Sequence, residues 1–188
     1  RKAAEQGNSN AQHFMGQAYY NGIGGVLRDE ALAVQWYKRA AGQGNVDAEF
    51  SLALLYSMDT NALAKDGAEA VKWYRKAADK GSAEAMYSLG RAYADGIGGL
   101  AQDDVEAVKW YRKAAEYSHS EAQAALSGAY FQGKGAAKDI VLAYMWANIS
   151  AGLNNRTAAV MRALIEDEMT PEEVREAQRL SREWVPLR

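Results

Sequence analysis

Ala85-Met86-Tyr87-Ser88-Leu89-Gly90-Arg91-Ala92-Tyr93-Ala94-Asp95-Gly96-Ile97-Gly98, followed by Ala107-Val108-Lys109-Trp110-Tyr111-Arg112-Lys113-Ala114-Ala115, is the stretch that decides the fold. In its first half Ala85, Leu89, Ala92 and Tyr93 fall at i, i+4, i+7 and i+8, one stripe of an α-helix. The second half has the same helical period, seen also in Ala70, Trp73, Tyr74, Ala77 and Ala78 at i, i+3, i+4, i+7 and i+8. Gly96 and Gly98 between them mark a tight turn that needs positive φ. Two amphipathic helices joined by a short turn each have an apolar stripe in need of a partner. Alternating Ala with Tyr and Trp lets the helices approach at the small residues while the rings fill the space between pairs.

The pattern recurs along the chain. Ala11, Ala48, Ala85 and Ala122 are spaced by 37 residues, as are Tyr19, Tyr56, Tyr93 and Tyr130. Trp36, Trp73 and Trp110 keep the step, and Trp146 comes one residue early because the fourth connection, Gly133 to Ala137, is shorter. The indoles are expected in the core, with Lys72, Arg75, Lys76, Lys109, Arg112 and Lys113 on a solvated face. Gly22 with Gly24 and Gly133 with Gly135 repeat the turn, while Gly44 and Gly81 sit where second helices should end. Asp59 and Asn61 replace the turn glycines of the second unit and Ser118 replaces a terminal one; Asp and Asn tolerate the left-handed region best among non-glycine residues.

The pattern Ala-x3-Leu-Gly-x2-Tyr-x2-Gly-x-Gly, then Ala-x2-Trp-Tyr-x2-Ala-Ala, resembles Sel1-like repeats of the bacterial type, relatives of tetratricopeptide repeats. The fold this implies is all-α: an α-solenoid superhelix of four Sel1-like helix pairs plus a C-terminal capping helix pair. The expected divisions are 1–7, the tail of a preceding repeat with more repeats upstream; 8–45, 46–81, 82–118 and 119–154, the four repeats; and 155–188, the cap. In the last segment Thr170-Pro171-Glu172-Glu173 combines an N-cap, a Pro at the first helical position and a capping-box Glu, opening a helix to about Trp184. A preceding helix over about 157–168 offers Val160, Leu164 and Ile165 for packing. The start at Arg1-Lys2-Ala3-Ala4 reads as a cut. Similarity to bacterial members that are often exported inclines toward the periplasm or cell envelope over the cytoplasm.

Composition narrows the function. With 48% hydrophobic and 24% charged residues the chain is an ordinary water-soluble one, and a net charge of -2 offers no excess of cations for nucleic acid or anionic lipid. No apolar run reaches the ~20 residues of a membrane span. Cysteine is absent, removing thiolate chemistry and the usual zinc cages. The two histidines, His13 and His119, are far apart in sequence, and no Gly-rich stretch has phosphate-loop spacing. Glu166, Asp167 and Glu168 are consecutive, so a helix splays them apart. No catalytic residue, metal site or cofactor is therefore expected, and no serine stands beside a lysine or histidine in a nucleophile motif.

What the repeat leaves over points to binding. The second, sixth and ninth positions after each repeat Ala face away from the packing stripe. In the second unit Phe50 and Leu54, with Met58 beyond, make an apolar line; Tyr20, Tyr87 and Phe131 sit on equivalent faces. His13, Gln17, Asn21, Arg91, Asp95 and Gln132 form a polar rim. The alternative is that these side chains simply bury against neighbouring helices. In tetratricopeptide-like solenoids this face lines a concave groove, so the resemblance implies a monomeric, non-catalytic scaffold or adaptor holding a peptide or partner helix of another protein. The competing readings are a structural spacer and, because some cysteine-rich Sel1-like proteins are linked with β-lactams, an enzyme binding or hydrolysing them; this chain lacks their cysteine pairs.

Overall fold

The computed structural model describes residues 1–58 and 64–187. Among them are eleven helices and no strand: α1 (Lys2–Glu5), α2 (Ser9–Asn21), α3 (Glu30–Gly42), α4 (Val46–Ser57), α5 (Gly67–Asp79), α6 (Ala83–Asp95), α7 (Asp104–Glu116), α8 (Ser120–Gln132), α9 (Ile140–Gly152), α10 (Arg156–Glu166) and α11 (Pro171–Glu183). They group into two compact units, Arg1–Ala85 with Ile97–Gly99, and Met86–Gly96 with Leu100–Arg188. The chain is an α-solenoid repeat protein in fold class.

Capping repeats with the same period as the apolar stripe. The second helices open on Asp29, Asp66, Asp103 and Asp139, each accepting a backbone N–H three residues on at 2.9, 3.0, 2.9 and 2.9 Å. The first helices open on Asn8, Asn45, Ser82, His119 and Asn155 in the same manner. Each cap satisfies one of the four donors a helix leaves orphaned at its N-terminus, typically worth about 1 kcal/mol.

In the first unit the core is Ala33, Val34, Tyr37, Ala40, Ala41, Ala48, Leu52 and Leu55, with Tyr19, Tyr20 and Trp73 against it. Tyr37 fits because Gly16 of α2 has no side chain: a Cβ there would stand 2.5 Å from the ring atoms Cδ1 and Cε1. The second unit repeats this with Gly90 and Tyr111 at the same 2.5 Å. The turn glycines have a steric reason too. Gly98 (φ 70°) lies against the Gly67 carbonyl and Gly135 (φ 73°) against that of Asp104, so any Cβ at either would collide with backbone. Ser118 adopts φ 62°, holding the left-handed position expected of it at the cost of Cβ strain. Asp59 and Asn61 lie outside the described residues.

A second set of contacts ties the end of each second helix to the first helix of its own pair within the first unit. Gln43 Nε2 donates to Gln12 Oε1 at 2.6 Å, and 37 residues on Lys80 Nζ meets Glu49 Oε1 at 2.7 Å. Glu49 is only 3% exposed, and the Lys80 ammonium gives its carboxylate a partner of opposite charge. In the second unit the equivalent of Gln12 is Gln123, fully buried, whose Nε2 donates to the Ala115 carbonyl at 3.3 Å.

The tryptophan expectation needs correcting. Tyr37, Tyr74 and Tyr111 are the buried rings, while Trp36, Trp73 and Trp110 just before them are half-buried. One helical step rotates the indole 100° off the stripe, and a basic side chain one turn on closes over it: Arg39 on Trp36 at 4.9 Å, Lys76 on Trp73 at 3.9 Å and Lys113 on Trp110 at 4.0 Å from the ring centroids. These cations therefore do more than solvate a face. Arg112 likewise donates from Nε to Tyr130 Oη at 3.1 Å, whereas Lys72 and Lys109 remain exposed beside Glu69 and Glu106. Trp146, by contrast, is buried as expected, its ring edge-on to Trp184 at 5.7 Å.

The last helices cover α9, and the Thr170–Glu173 capping box is present as read from the sequence. α10 contributes Ala158 and Ile165 to the core; Val160 and Leu164, expected to pack, are exposed because they point away from α9. The tail returns to α7, where the Leu187 amide donates to the Glu116 carbonyl at 2.6 Å.

Two outcomes follow for stability. In urea melts Tyr74→Ala should cost about 3–5 kcal/mol, as large aromatic truncations in cores do, and Trp73→Ala clearly less; equal losses would return the indole to the core. Removal of residues 155–188 should uncover α9 and cause self-association in light scattering, and a soluble monomer of undiminished helicity would show that these helices are appended rather than capping.

Candidate functional site

In the first three repeats the second residue after the repeat Ala is a ring that leans on the buried tyrosine of its own repeat. His13 lies 5.6 Å from Tyr37, Phe50 5.9 Å from Tyr74, and Tyr87 5.8 Å from Tyr111, at interplanar angles of 40°, 48° and 39°. One side of each ring is thus committed to packing inside the repeat.

In the first unit that surface opens into a cleft of about 680 Å³, lined by Asn10, His13, Phe14 and Gln17 of α2, Asp47, Phe50, Ser51 and Leu54 of α4, and Ser82 and Glu84 at the start of α6. Beside it, sharing Ser51 and Leu54, is a smaller pocket of about 90 Å³ between Tyr20, Tyr37, Leu55 and Met58. Phe14 is 67% exposed, Met58 41% and Leu54 37%. An exposed phenylalanine beside exposed aliphatic side chains at the rim of an open cleft is apolar surface left in water by the fold.

His13, read from the sequence as part of a wet rim, is 8% exposed. Burial lowers its pKa from the ordinary value, offset in part by the field of Asp47, so the ring is neutral near pH 7. Its Nε2 is 3.3 Å from Ser51 Oγ, a serine and histidine that the sequence separates by 38 residues. The contact is an anchor rather than a nucleophile and its base, because Ser51 donates its own proton to the Asp47 carbonyl at 2.8 Å. Burial also pushes the Tyr37 hydroxyl up to about 12, keeping it a neutral wall of the smaller pocket.

Of the residues singled out by sequence, the structure brings His13, Gln17, Phe50 and Leu54 to the cleft and Tyr20, Leu54 and Met58 to the pocket. Asn21 is exposed, its amide donating to the Gln17 carbonyl at 3.0 Å. Tyr87, Arg91 and Asp95 belong to the second unit. There Arg91 and Asp95 approach to 3.9 Å, and Tyr87 stacks on His119 at 4.7 Å. Phe131 lies under Lys138, whose Nζ is 5.4 Å from the ring centroid, and Gln132 lines a separate cavity of about 220 Å³ with Asp104 and Lys134 at its edge. Phe14, Asp47 and Glu84 escaped the sequence reading. Phe14 had a signal: the equivalent positions hold Ser51, Ser88 and Ala125, so a phenylalanine there breaks the pattern.

No group of three or more His, Cys, Asp or Glu suited to a metal ion exists among the described residues, and no described helix is long and apolar enough to cross a membrane. Paired helices in tandem, with an open face on the first helices, define a repeat scaffold. The chain belongs to the Sel1 repeat family, whose model matches residues 9–45, 46–82, 83–116 and 120–155. Sel1 repeats are generally protein-interaction modules, and the fold is typically a non-enzymatic one. A Sel1 repeat protein from Oxalobacter formigenes is similar at 33% identity and a TM-score of 0.81, over 96% of this chain and 75% of that one. A protective antigen of uropathogenic Escherichia coli strains that displays an SLR fold is 31% identical with a TM-score of 0.62; the match covers 95% of this chain, which spans only 45% of the antigen. An immunity protein from Pseudomonas aeruginosa shares the fold at 17% identity and a TM-score of 0.56, over 97% of this chain and 72% of that one. No protein of curated function matches the chain.

The buried, neutral His13 has a consequence for stability. A base whose folded pKa is depressed stabilises fully above its unfolded value, near 6.5, and the contribution is lost as pH falls through the folded pKa. His13→Phe, which copies Phe50 of the next repeat, should therefore narrow the drop in melting temperature between pH 7.5 and pH 5.5. An unchanged drop would mean that other groups carry it.

Proposed function

We propose that this chain is a protein-interaction scaffold that docks an extended segment or amphipathic helix of another protein on the first-helix cleft of its first unit. The observation that carries the reading is the exposure of Phe14 and Leu54 at an open cleft of about 680 Å³. Solvent-facing apolar side chains grouped at a concavity and bordered by polar ones match the anatomy of an interface, in which an apolar centre supplies energy and a polar rim supplies register. Gln17, Asn10 and Ser82 are the rim on this reading, and His13 with Phe50 forms the floor. Tyr87, Arg91, Asp95, Phe131 and Gln132 form, on this reading, a separate contact surface of the second unit. Asn21 lies beside Gln17 and would extend the rim.

A photo-reactive benzoylphenylalanine at position 14 should cross-link to a partner in extracts of the source cells, whereas the same group at Lys72, an exposed position on α5, should not. Phe14→Ser with Leu54→Ser should weaken the captured partner's affinity by at least about tenfold, since central interface truncations cost ~2 kcal/mol or more in sum, with the melting temperature nearly unchanged. Cross-linking from position 72 alone would move the docking surface to the second helices.

A further inference from the structure

The charge lining the cleft is one-sided. Asp47 and Glu84, each exposed in the first turn of its helix, are among its lining residues, and no described lysine or arginine is. Lys80 is turned to other work, its ammonium 2.7 Å from the buried Glu49 carboxylate and 3.2 Å from the Gly44 carbonyl. His13 is neutral near pH 7 and brings no positive charge. The chain as a whole carries a net charge of only -2, so the sign of this cleft is a local property. Two phenylalanine rings, Phe14 and Phe50, line the same cleft as the carboxylates. Rings beside carboxylates in a concavity form a surroundings suited to a guanidinium or ammonium, which gains from the ring face and from the anion together. Next to it, through the shared Ser51 and Leu54, the pocket of Tyr20, Tyr37, Leu55 and Met58 offers apolar walls with room for one side chain.

Resting on the docking reading above, we infer that the occupant of this cleft is a basic peptide segment, whose lysine or arginine meets Asp47 and Glu84 while a neighbouring aliphatic side chain enters the Tyr20–Met58 pocket. Charge and shape play separate parts here. The carboxylates select the sign of the partner's charge and speed its approach, and the pocket fixes its register. An acidic segment would place like charges against Asp47 in a cleft with no lysine or arginine among its described lining residues.

The test is a selection of random dodecapeptides displayed on phage against the intact chain, followed by fluorescence-anisotropy titration of the enriched peptides. Enriched sequences should hold a lysine or arginine close to an aliphatic residue. Their affinity should fall about tenfold on Asp47→Asn with Glu84→Gln, and fall similarly on the unaltered protein when the peptide's arginine is replaced by neutral citrulline, as expected for loss of charge-assisted contacts. Raising the salt concentration should weaken binding in the same direction. Because the citrulline arm uses the native chain, a misfolded variant does not blunt the test. Peptides that lose binding with Phe14→Ser and Leu54→Ser but ignore charge neutralisation and citrulline would overturn the basic-segment inference while leaving the docking site in place. Peptides insensitive to every one of these changes, or no enrichment at all, would overturn both.

Discussion

A phenol ring fitted against a bare stretch of helix is the constraint from which the rest of this structure follows. Tyr37 and Tyr111 occupy space that Gly16 and Gly90 leave open, and neither glycine could gain a single carbon without striking the ring. That fit sets how closely the two helices of a repeat approach, since packed interiors have no slack to absorb an extra methyl group. It also determines where the second-position ring goes. His13, Phe50 and Tyr87 each lean on their own tyrosine at nearly the same distance, so three chemically different side chains are held on one framework.

The repeats keep this framework and vary what is attached to it. At the buried position after each repeat Ala the chain places Gln12, Glu49, Met86 and Gln123. In the first unit the polar group buried there is matched: glutamine meets glutamine in one repeat, and a carboxylate meets Lys80 in the next. Changing one partner alone would leave a buried donor or charge without compensation, a cost larger than the net worth of either contact. The half-buried tryptophans follow a similar rule, with the outer side of each indole shielded by a cation one turn away.

Function on this reading is written at positions the framework does not need. Phe14 stands where other repeats hold Ser or Ala, and Asp47 and Glu84 lie on first turns where a negative charge is also favoured by the helix dipole. The cleft these residues share therefore makes few demands on stability. Ser51 joins both roles, hydrogen-bonded to its own helix at Asp47 and contacting the buried His13, so it ties α4 to α2 at the floor of the cleft.

The sequence by itself determined the repeat register, the helix pairs, the glycine turns and the terminal capping box, because each depends on residues within one or two helical turns and on a period of 3.6. The aspartates that cap the second helices were equally legible, recurring at Asp29, Asp66, Asp103 and Asp139, and a search for caps with the same period would have found them. Only the tertiary structure decided which of two adjacent rings, Trp73 or Tyr74, takes the core, since both lie within the arc that an apolar stripe allows and the choice falls to the small residue facing it. It also decided that His13 is buried beside Ser51, that Val160 and Leu164 face water, and that Phe14, Phe50 and Asp47 share one cleft. Those outcomes depend on the angle and distance between neighbouring helices. Periodicity along one helix carries no information about either, because ring volume and bare backbone set them only when the helices meet.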